Sequence, residues 1–140
     1  MPKFALLVRA TLQTESRTPT SATPALLEAM LAYNTSLVDA GVLLSGDGFL
    51  PSSKGARVHF SSNETPRVEH GPFDVSSLVS GYWVLKVKDL EEALEWAKKV
   101  PFGEGDVVEV RQIAGEDDFE MTDGMKEKEE ELRKRIEEGQ

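Results

Sequence analysis

The chain has 140 residues and a formal net charge of −9, from 16 basic and 25 acidic side chains. This length suits one domain, since single domains cluster at about 100–150 residues. An acidic chain without a dense run of Lys or Arg is a poor ligand for nucleic acid or for anionic membranes. It has no cysteine and only two histidines, which excludes disulfides and Cys-bearing zinc sites and disfavours a His-rich metal site. We therefore expect neither metal nor cofactor.

The apolar runs are short. The run from Phe4 to Val8 is far below the ~18–20 residues of a membrane span, and Met1-Pro2-Lys3 leads into no signal-peptide core. We therefore expect a soluble, cytoplasmic protein with no membrane partner.

Taken in chain order, alternating apolar residues predict a first strand at residues 4–9, and Thr and Ser predict a loop at residues 10–22. Thr23 and Pro24 begin a helix that ends at Gly41. Its expected inward stripe is Leu27, Met30, Leu31 and either Leu37 or Val38. Asn34 lies within this stripe and needs a definite hydrogen-bond partner. Either the Asn34 side chain forms a hydrogen bond with the backbone, or it points into a pocket.

The next elements are two strands and a hairpin. Residues 42–45 predict a strand, which Gly46-Asp47-Gly48 breaks. Residues 57–61 and 66–69 predict the hairpin. Residues 81–88 predict the clearest strand, with Trp83 in the core and Tyr82 on the opposite face.

A second helix and a last strand complete this region. Asp89 begins the helix, whose expected apolar face is Leu90, Ala93, Leu94 and Ala97. Residues 106–113 form the last strand. The order predicts an α+β fold, a ferredoxin-like βαββαβ sheet with an inserted hairpin and both helices on one face. The other face carries Arg9, Tyr82, Lys86, Glu109 and Arg111, and either meets solvent or lines a cavity covered by a second subunit.

The negative charge is concentrated near the C-terminus. Residues 115–140 hold 11 acids and 5 bases, against 14 and 11 in residues 1–114. Pairs spaced four residues apart predict a helix there: Glu129 with Arg133, Glu130 with Lys134, and Glu131 with Arg135. Its narrow apolar stripe, Met121, Met125, Leu132 and Ile136, suits either a solvated terminal helix or one that docks on a partner subunit. We divide the chain into a domain, 1–114, and an acidic extension, 115–140.

Several segments, in this order, resemble the YCII-related proteins of the DGPF-motif branch: Tyr33-Asn34, residues 37–44, Gly46-Asp47-Gly48, residues 51–58, Gly71-Pro72-Phe73, Gly81-Tyr82-Trp83, and residues 91–97, 101–102 and 109–112. The similarity covers roughly residues 3–119. The resemblance implies a dimeric α+β barrel, a homodimer in which two sheets pack face to face and enclose paired pockets. Some members resemble muconolactone-type isomerases and dehalogenating lyases that use a His/Asp pair. The first helix here has no His and residues 98–101 have no Asp, so that pair is not carried over.

Two residues are candidates for proton transfer. His70 stands where the motif has Asp, and an imidazole exchanges protons near neutral pH; Glu69 or Asp74 would orient it. If His70 takes no part in proton transfer, its presence in place of the Asp of the motif is a neutral exchange in a turn at the end of a strand. Asp47, between two glycines, suits a carboxylate at a cavity mouth, or else an Asx-type turn.

Arg9 and Arg111 suit a substrate carboxylate or enolate, or else ion pairs with Glu109 or Asp47. Tyr82 and Asn34 are the other candidate ligand-binding residues. The loop at residues 52–55 matches neither a P-loop nor a hydrolase elbow. It would bind an anion only together with groups from elsewhere in the protein.

Together these residues predict a small cofactor-independent lyase or isomerase that transfers a proton on a carbonyl-bearing or aromatic small molecule. The alternative is a noncatalytic small-molecule-binding or regulatory module.

Overall fold

The computed structural model describes residues 1–16 and 23–139. The strands are β1 (Lys3–Arg9), β2 (Leu43–Gly48), β3 (Ala56–His59), β4 (Arg67–His70), β5 (Val79–Lys86) and β6 (Val108–Gln112). The helices are α1 (Leu12–Ser16), α2 (Pro24–Asp39), α3 (Leu90–Ala97) and α4 (Asp123–Glu138). Short 3-10 turns lie at Ser52–Lys54, Val75–Ser77 and Glu116–Asp118.

Four strands form one antiparallel sheet in the order β2-β5-β1-β6. This order agrees with the ferredoxin-like arrangement expected from the sequence, in which the first and third main strands are central. The strands β3 and β4 form a separate two-stranded sheet, as the hairpin pattern predicts. The predicted α+β fold class is therefore confirmed.

The core lies between one face of the sheet and the helices α2 and α3. The sheet pairs Leu6 with both Trp83 and Val110, so these side chains share that face. The Tyr33 and Trp83 rings meet edge to face, with centroids 5.2 Å apart and planes at 78°. Such a pair stabilises the fold beyond its buried area by about 0.5–1.5 kcal/mol. The buried apolar residues are Phe4, Leu6, Tyr33, Leu37, Val42, Trp83, Leu85, Val87 and Ala93.

The helix starts follow the predicted capping chemistry. The Thr23 hydroxyl accepts a hydrogen bond from the Leu26 N–H at 3.2 Å, which satisfies one free donor of the first turn. Asp89 Oδ1 accepts from the Glu92 N–H at 2.9 Å, and Glu92 Oε2 accepts from the Lys88 N–H. Both helix starts are confirmed.

The predicted loop over residues 10–22 is wrong at its beginning, where α1 forms. The reason is a reciprocal pair of threonines: the Thr14 N–H donates to Thr11 Oγ1 at 3.2 Å and the Thr11 N–H donates to Thr14 Oγ1 at 2.8 Å. Hydroxyls that favour loops also cap helices. The remainder of this prediction, residues 17–22, lies outside the described residues.

The predicted break at Gly46-Asp47-Gly48 is also wrong, because β2 continues through these residues. Asp47 pairs with Tyr82 and Gly48 with Gly81, while the irregularity lies earlier, between Leu43 and Ser45. A Cβ on Gly46 would lie 2.9 Å from Trp83 Cδ1. The glycine is therefore present to accommodate the indole ring rather than to end the strand.

The inward faces of both helices agree only in part with those predicted, because Met30, Leu37, Ala93 and Ala97 lie in or against the core as expected. On α2 the buried residues are Tyr33 and Leu37, whereas Leu27, Leu31 and Val38 are exposed. On α3, Ala93 is buried and Trp96 packs on the core, whereas Leu90 and Leu94 are exposed. Each helix carries more apolar residues than one face can bury, so periodicity alone does not decide which ones turn inward.

The predicted acidic helix forms as α4, and none of its residues is buried. Glu129 pairs with Arg133 at 3.0 Å and Glu130 with Lys134 at 3.6 Å. The third predicted pair is wrong, because Glu131 lies 3.4 Å from Lys128 instead of pairing with Arg135. Each exposed ion pair adds only a few tenths of a kcal/mol to the stability of the helix. In the part of the chain that the structure describes, neither α4 nor another helix is long and apolar enough to cross a membrane.

Because of Tyr33, the stability of this core decreases as the pH becomes alkaline. Its hydroxyl donates to the Trp96 carbonyl at 2.9 Å, and burial raises the pKa of Tyr33 to about 12. The folded state therefore favours the neutral phenol. This contribution is fully present below pH ~10, the unfolded pKa, and is lost as the pH rises through about 12.

We expect Tyr33→Phe to remove this pH dependence. The wild type should lose on the order of 2–3 kcal/mol more unfolding free energy than the variant between pH 9 and pH 12. Urea denaturation of both proteins at several pH values measures the difference, and titrations common to both cancel. Equal losses in both proteins would show that Tyr33 is not the group responsible.

Candidate functional site

A cavity of about 190 Å³ lies where the edge strand β2 meets β5 and α2. Three of the residues predicted to form a site border it: Asn34 from α2, Asp47 from β2 and Tyr82 from β5. The fold therefore brings together residues that are 48 positions apart at most in the chain, through strand pairing. The cavity also contacts Gly46, Gly48 and Trp83.

Asn34 has a definite partner, as expected, but that partner is a side chain rather than backbone. The Trp83 Nε1–H donates to Asn34 Oδ1 at 2.8 Å. Since an indole N–H only donates, the amide oxygen of Asn34 must face Trp83, and the NH₂ group takes the opposite direction. No acceptor among the described residues hydrogen-bonds to that NH₂ group, so it can donate to an oxygen of a bound molecule.

Asp47 and Tyr82 form a hydrogen-bonded pair. The two residues are opposite each other in the β2–β5 ladder, and Tyr82 Oη donates to Asp47 Oδ2 at 2.9 Å. This hydrogen bond, followed by desolvation and the Asp47 charge, raises the pKa of Tyr82. Tyr82 therefore stays a neutral phenol that holds the carboxylate in one orientation. The Phe49 ring packs on Tyr82 with centroids 5.8 Å apart.

A second cavity, of about 540 Å³, adjoins the first. Both cavities are bordered by Val8, Gly48 and Gly81. The walls of the larger cavity combine apolar surface with hydroxyl groups, from Phe49, Leu50, Phe102, Thr11, Thr14 and Thr23. Its size falls within the range of about 300–1,000 Å³ that is typical of small-molecule sites.

The two candidate arginines share one carboxylate. Arg9 Nη1 lies 3.3 Å from Glu109 Oε1, and Arg111 Nη1 lies 3.4 Å from Glu109 Oε2. Arg9 also donates to the Ser76 carbonyl at 2.6 Å. Of the two predicted roles, the structure shows the ion pairs with Glu109, and binding of a substrate carboxylate by the remaining guanidinium N–H groups stays a prediction.

His70 lies at the end of β4 with its side chain exposed, and it is not among the described residues that border either cavity. The prediction that Glu69 or Asp74 orients it is wrong. Glu69 Oε1 lies 2.8 Å from His59 Nε2, and this hydrogen bond holds the pKa of Glu69 below its usual value. Asp74 caps the turn at Val75–Ser77, where hydrogen bonds from the Ser76 hydroxyl and N–H lower its pKa.

The loop at Ser52–Lys54 binds an anion that belongs to the protein itself. Glu15 Oε1 accepts from the Ser52 N–H at 2.9 Å and Glu15 Oε2 accepts from the Ser52 hydroxyl at 2.5 Å. The Phe73 N–H in turn donates to Ser52 Oγ at 2.9 Å. Glu15 thus ties α1, this loop and the segment after the hairpin together. Sequence reasoning missed Glu15 because it lies in a segment that composition assigns to a loop.

Among residues 1–16 and 23–139, no three His, Asp or Glu side chains lie together in a way that could hold a metal ion. The polar groups around the cavities are instead suited to hydrogen bonding and to moving a proton.

The comparison with protein families gives a match over most of the chain. The family model described as YCII-related domain matches residues 3–117, which includes every strand, α1 to α3 and both cavities, and stops before α4. No curated protein matches the chain.

We expect Gly71→Ala to destabilise the region around Ser52. A Cβ on Gly71 would lie 1.9 Å from the Ser52 carbonyl oxygen, a backbone atom that cannot rotate away. The chain must shift, at a cost of about 1–3 kcal/mol of unfolding free energy. Urea denaturation measures this loss.

The matched control for that experiment is Gly55→Ala, whose Cβ would lie at an ordinary 3.6 Å from the same oxygen. We expect this variant to unfold within about 0.5 kcal/mol of the wild type. Equal stability of the two variants would contradict the close approach of Gly71 to Ser52.

Proposed function

This chain belongs to the YCII-related family, and we propose that it is a small cofactor-independent enzyme of lyase or isomerase type, acting by proton transfer on a carbonyl-bearing small molecule. The observation that carries this proposal is the Asp47 carboxylate, which the Tyr82 hydroxyl orients; both residues border the smaller cavity. A carboxylate held in one orientation beside a cavity is the proton acceptor that enolisation needs.

In the proposed reaction, Asp47 takes a proton from the carbon next to the substrate carbonyl. The electron pair of that C–H bond moves into the carbon framework and forms an enolate. Asp47 then returns the proton to a different carbon, which shifts the double bond, or a leaving group departs with the electron pair. Tyr82 is a positioning residue, because it acts through Asp47.

His70, Arg9 and Arg111 receive less support as site residues. A substrate of His70 would have to bind outside both cavities. Arg9 and Arg111 are each already paired with Glu109, and among the described residues that border the two cavities Arg111 is absent. We therefore assign the proton transfer to Asp47, and the arginines remain candidate ligand-binding groups.

The second candidate function is a noncatalytic small-molecule-binding or regulatory module. The larger cavity favours it, because Phe49, Leu50 and Phe102 provide apolar contact surface without any group that reacts. Binding without turnover would use the same cavities.

We also propose that the working unit is a homodimer, built as a dimeric α+β barrel of the DGPF-motif branch. Its support is apolar surface that the single chain leaves uncovered. Val58 and Val68 are directly opposite each other in the β3–β4 hairpin and are 52% and 53% exposed. Phe60, next to them, is 81% exposed. A second copy would remove this surface from water. Cytoplasmic localisation, and 1–114 and 115–140 as separate units, stay predictions.

We expect Asp47→Asn to abolish proton transfer without unfolding the protein. The probe is α-angelica lactone in D₂O, with deuterium incorporation and the double-bond shift followed by NMR. Loss of a general base should lower the rate by about 10²–10⁴-fold. Tyr82→Phe should lower it less, because the carboxylate remains. Asp39→Asn, on the exposed end of α2, is the matched control and should keep the wild-type rate. A variant Asp47→Asn that is as active as the wild type would exclude Asp47 as the base.

We expect light scattering to give twice the chain mass of 15.4 kDa. Val68→Glu should shift the protein towards the monomer, because it places a charge in the surface that dimerisation would bury. Val38→Glu, on exposed α2, is the control and should remain dimeric. A wild-type protein of 15.4 kDa at working concentration would refute the homodimer.

A further inference from the structure

We propose that the two cavities are one continuous site for an elongated, uncharged ligand, with its oxygen-bearing end at Asn34 and its apolar body against Phe49, Leu50 and Phe102. This inference rests on the proposed function in one respect, because it places the reacting end of the ligand in the cavity of Asp47. It goes further by assigning a ligand class to the larger cavity.

The continuity of the site follows from the residues that the two cavities share. Val8, Gly48 and Gly81 border both of them. A Cβ built on Gly48 would meet no other atom within 4 Å, so the space above this glycine is open. Gly48 and Gly81 are paired in the sheet, and a Cβ on Gly81 would meet the Asp47 carbonyl oxygen at 3.0 Å, so the proposed passage between the cavities lies above Gly48. Any larger side chain at position 48 would project into that passage.

The charges around the site disfavour an anionic ligand. Asp47 borders the smaller cavity, and Asp106 borders the larger one. Among the described residues that border the larger cavity, Arg9 is the one cation, and it is already held by Glu109 and by the Ser76 carbonyl. An anion would thus lose water without gaining a free positive partner among those residues, which is costly.

The hydrogen-bonding groups define the polar end. The Asn34 NH₂ group donates, so it suits a carbonyl or ether oxygen, and Trp83 holds the amide in this orientation. Phe49 and Phe102 offer flat apolar surface for the remainder of the ligand. A ketone or lactone with an aromatic or long alkyl substituent has both parts.

Binding of two dyes of similar length tests the ligand class. Prodan is an uncharged naphthalene ketone, and TNS is a naphthalene sulfonate; the fluorescence of both rises on leaving water. We expect prodan to bind at least about tenfold more tightly than TNS, because only TNS brings a charge into the site. Equal binding of the two dyes, or tighter binding of TNS, would overturn the inference.

The passage is tested by Gly48→Leu, which should weaken prodan binding at least about tenfold by filling the space above Gly48. The control is Gly124→Leu on α4, where a Cβ also meets nothing within 4 Å. In case Gly48→Leu does not fold, Leu50→Lys tests the apolar end at a side chain that is already 55% exposed. Wild-type prodan affinity in either folded variant would overturn the single continuous site.

The polar end is tested by Asn34→Asp, which keeps the oxygen that accepts from Trp83 and removes the NH₂ donor. We expect a loss of prodan affinity of about tenfold, from the lost hydrogen bond and the added charge. Asn63→Asp, in the exposed hairpin turn, makes the same change of charge elsewhere and should bind as the wild type does. Equal affinities of the two variants would contradict the role of Asn34.

These results separate the inference from the proposed function. If the wild type binds prodan but exchanges no deuterium into the lactone, the ligand class stands and the enzyme proposal fails. If lactone exchange depends on Asp47 while Gly48→Leu leaves prodan binding unchanged, the enzyme proposal stands and the continuous site fails.

Discussion

The contact on which the rest of the structure depends is the hydrogen bond from the Trp83 indole to Asn34. Trp83 is buried between the sheet and α2, and a buried N–H without an acceptor would cost about 1–3 kcal/mol. Asn34 supplies that acceptor and Tyr33, the residue before it, packs edge to face on the same indole. Two successive residues of α2 thereby fix the helix on the sheet. Because the face of α2 that carries Tyr33 and Asn34 packs on the sheet, Leu27 and Leu31 remain exposed.

The same indole determines the shape of the cavities. Its ring takes the space that a side chain at position 46 would need, so the neighbouring strand passes it with a glycine. Beyond the indole, Val8, Gly48 and Gly81 border both cavities. Asp47, between the two glycines of β2, points to Tyr82 rather than into the core. The requirement to bury one large ring therefore places the Asn34 amide on the inner face of the sheet, with Asp47 and Tyr82 on the opposite face.

Charge is organised separately from this site. Glu109 pairs with both Arg9 and Arg111, so its carboxylate balances one of these two positive charges. The acidic helix α4 lies outside the residues that match the YCII-related family, and its side chains remain exposed. The net charge of −9 therefore belongs largely to this exposed extension.

The sequence by itself determined the features that depend on neighbours in the chain: the caps at Thr23 and Asp89, the alternation that puts Trp83 inward and Tyr82 outward, the hairpin, and the order of strands that implies an α+β sheet. Tertiary structure decided which apolar stripe of each helix is buried, because more than one stripe is apolar enough. It also decided the partners of the polar groups. Asn34 meets Trp83, Glu15 meets Ser52, and Glu69 meets His59 instead of His70. These contacts join residues from different elements. Their distances depend on how the elements pack against one another, and the spacing of residues along the chain carries no information about that packing.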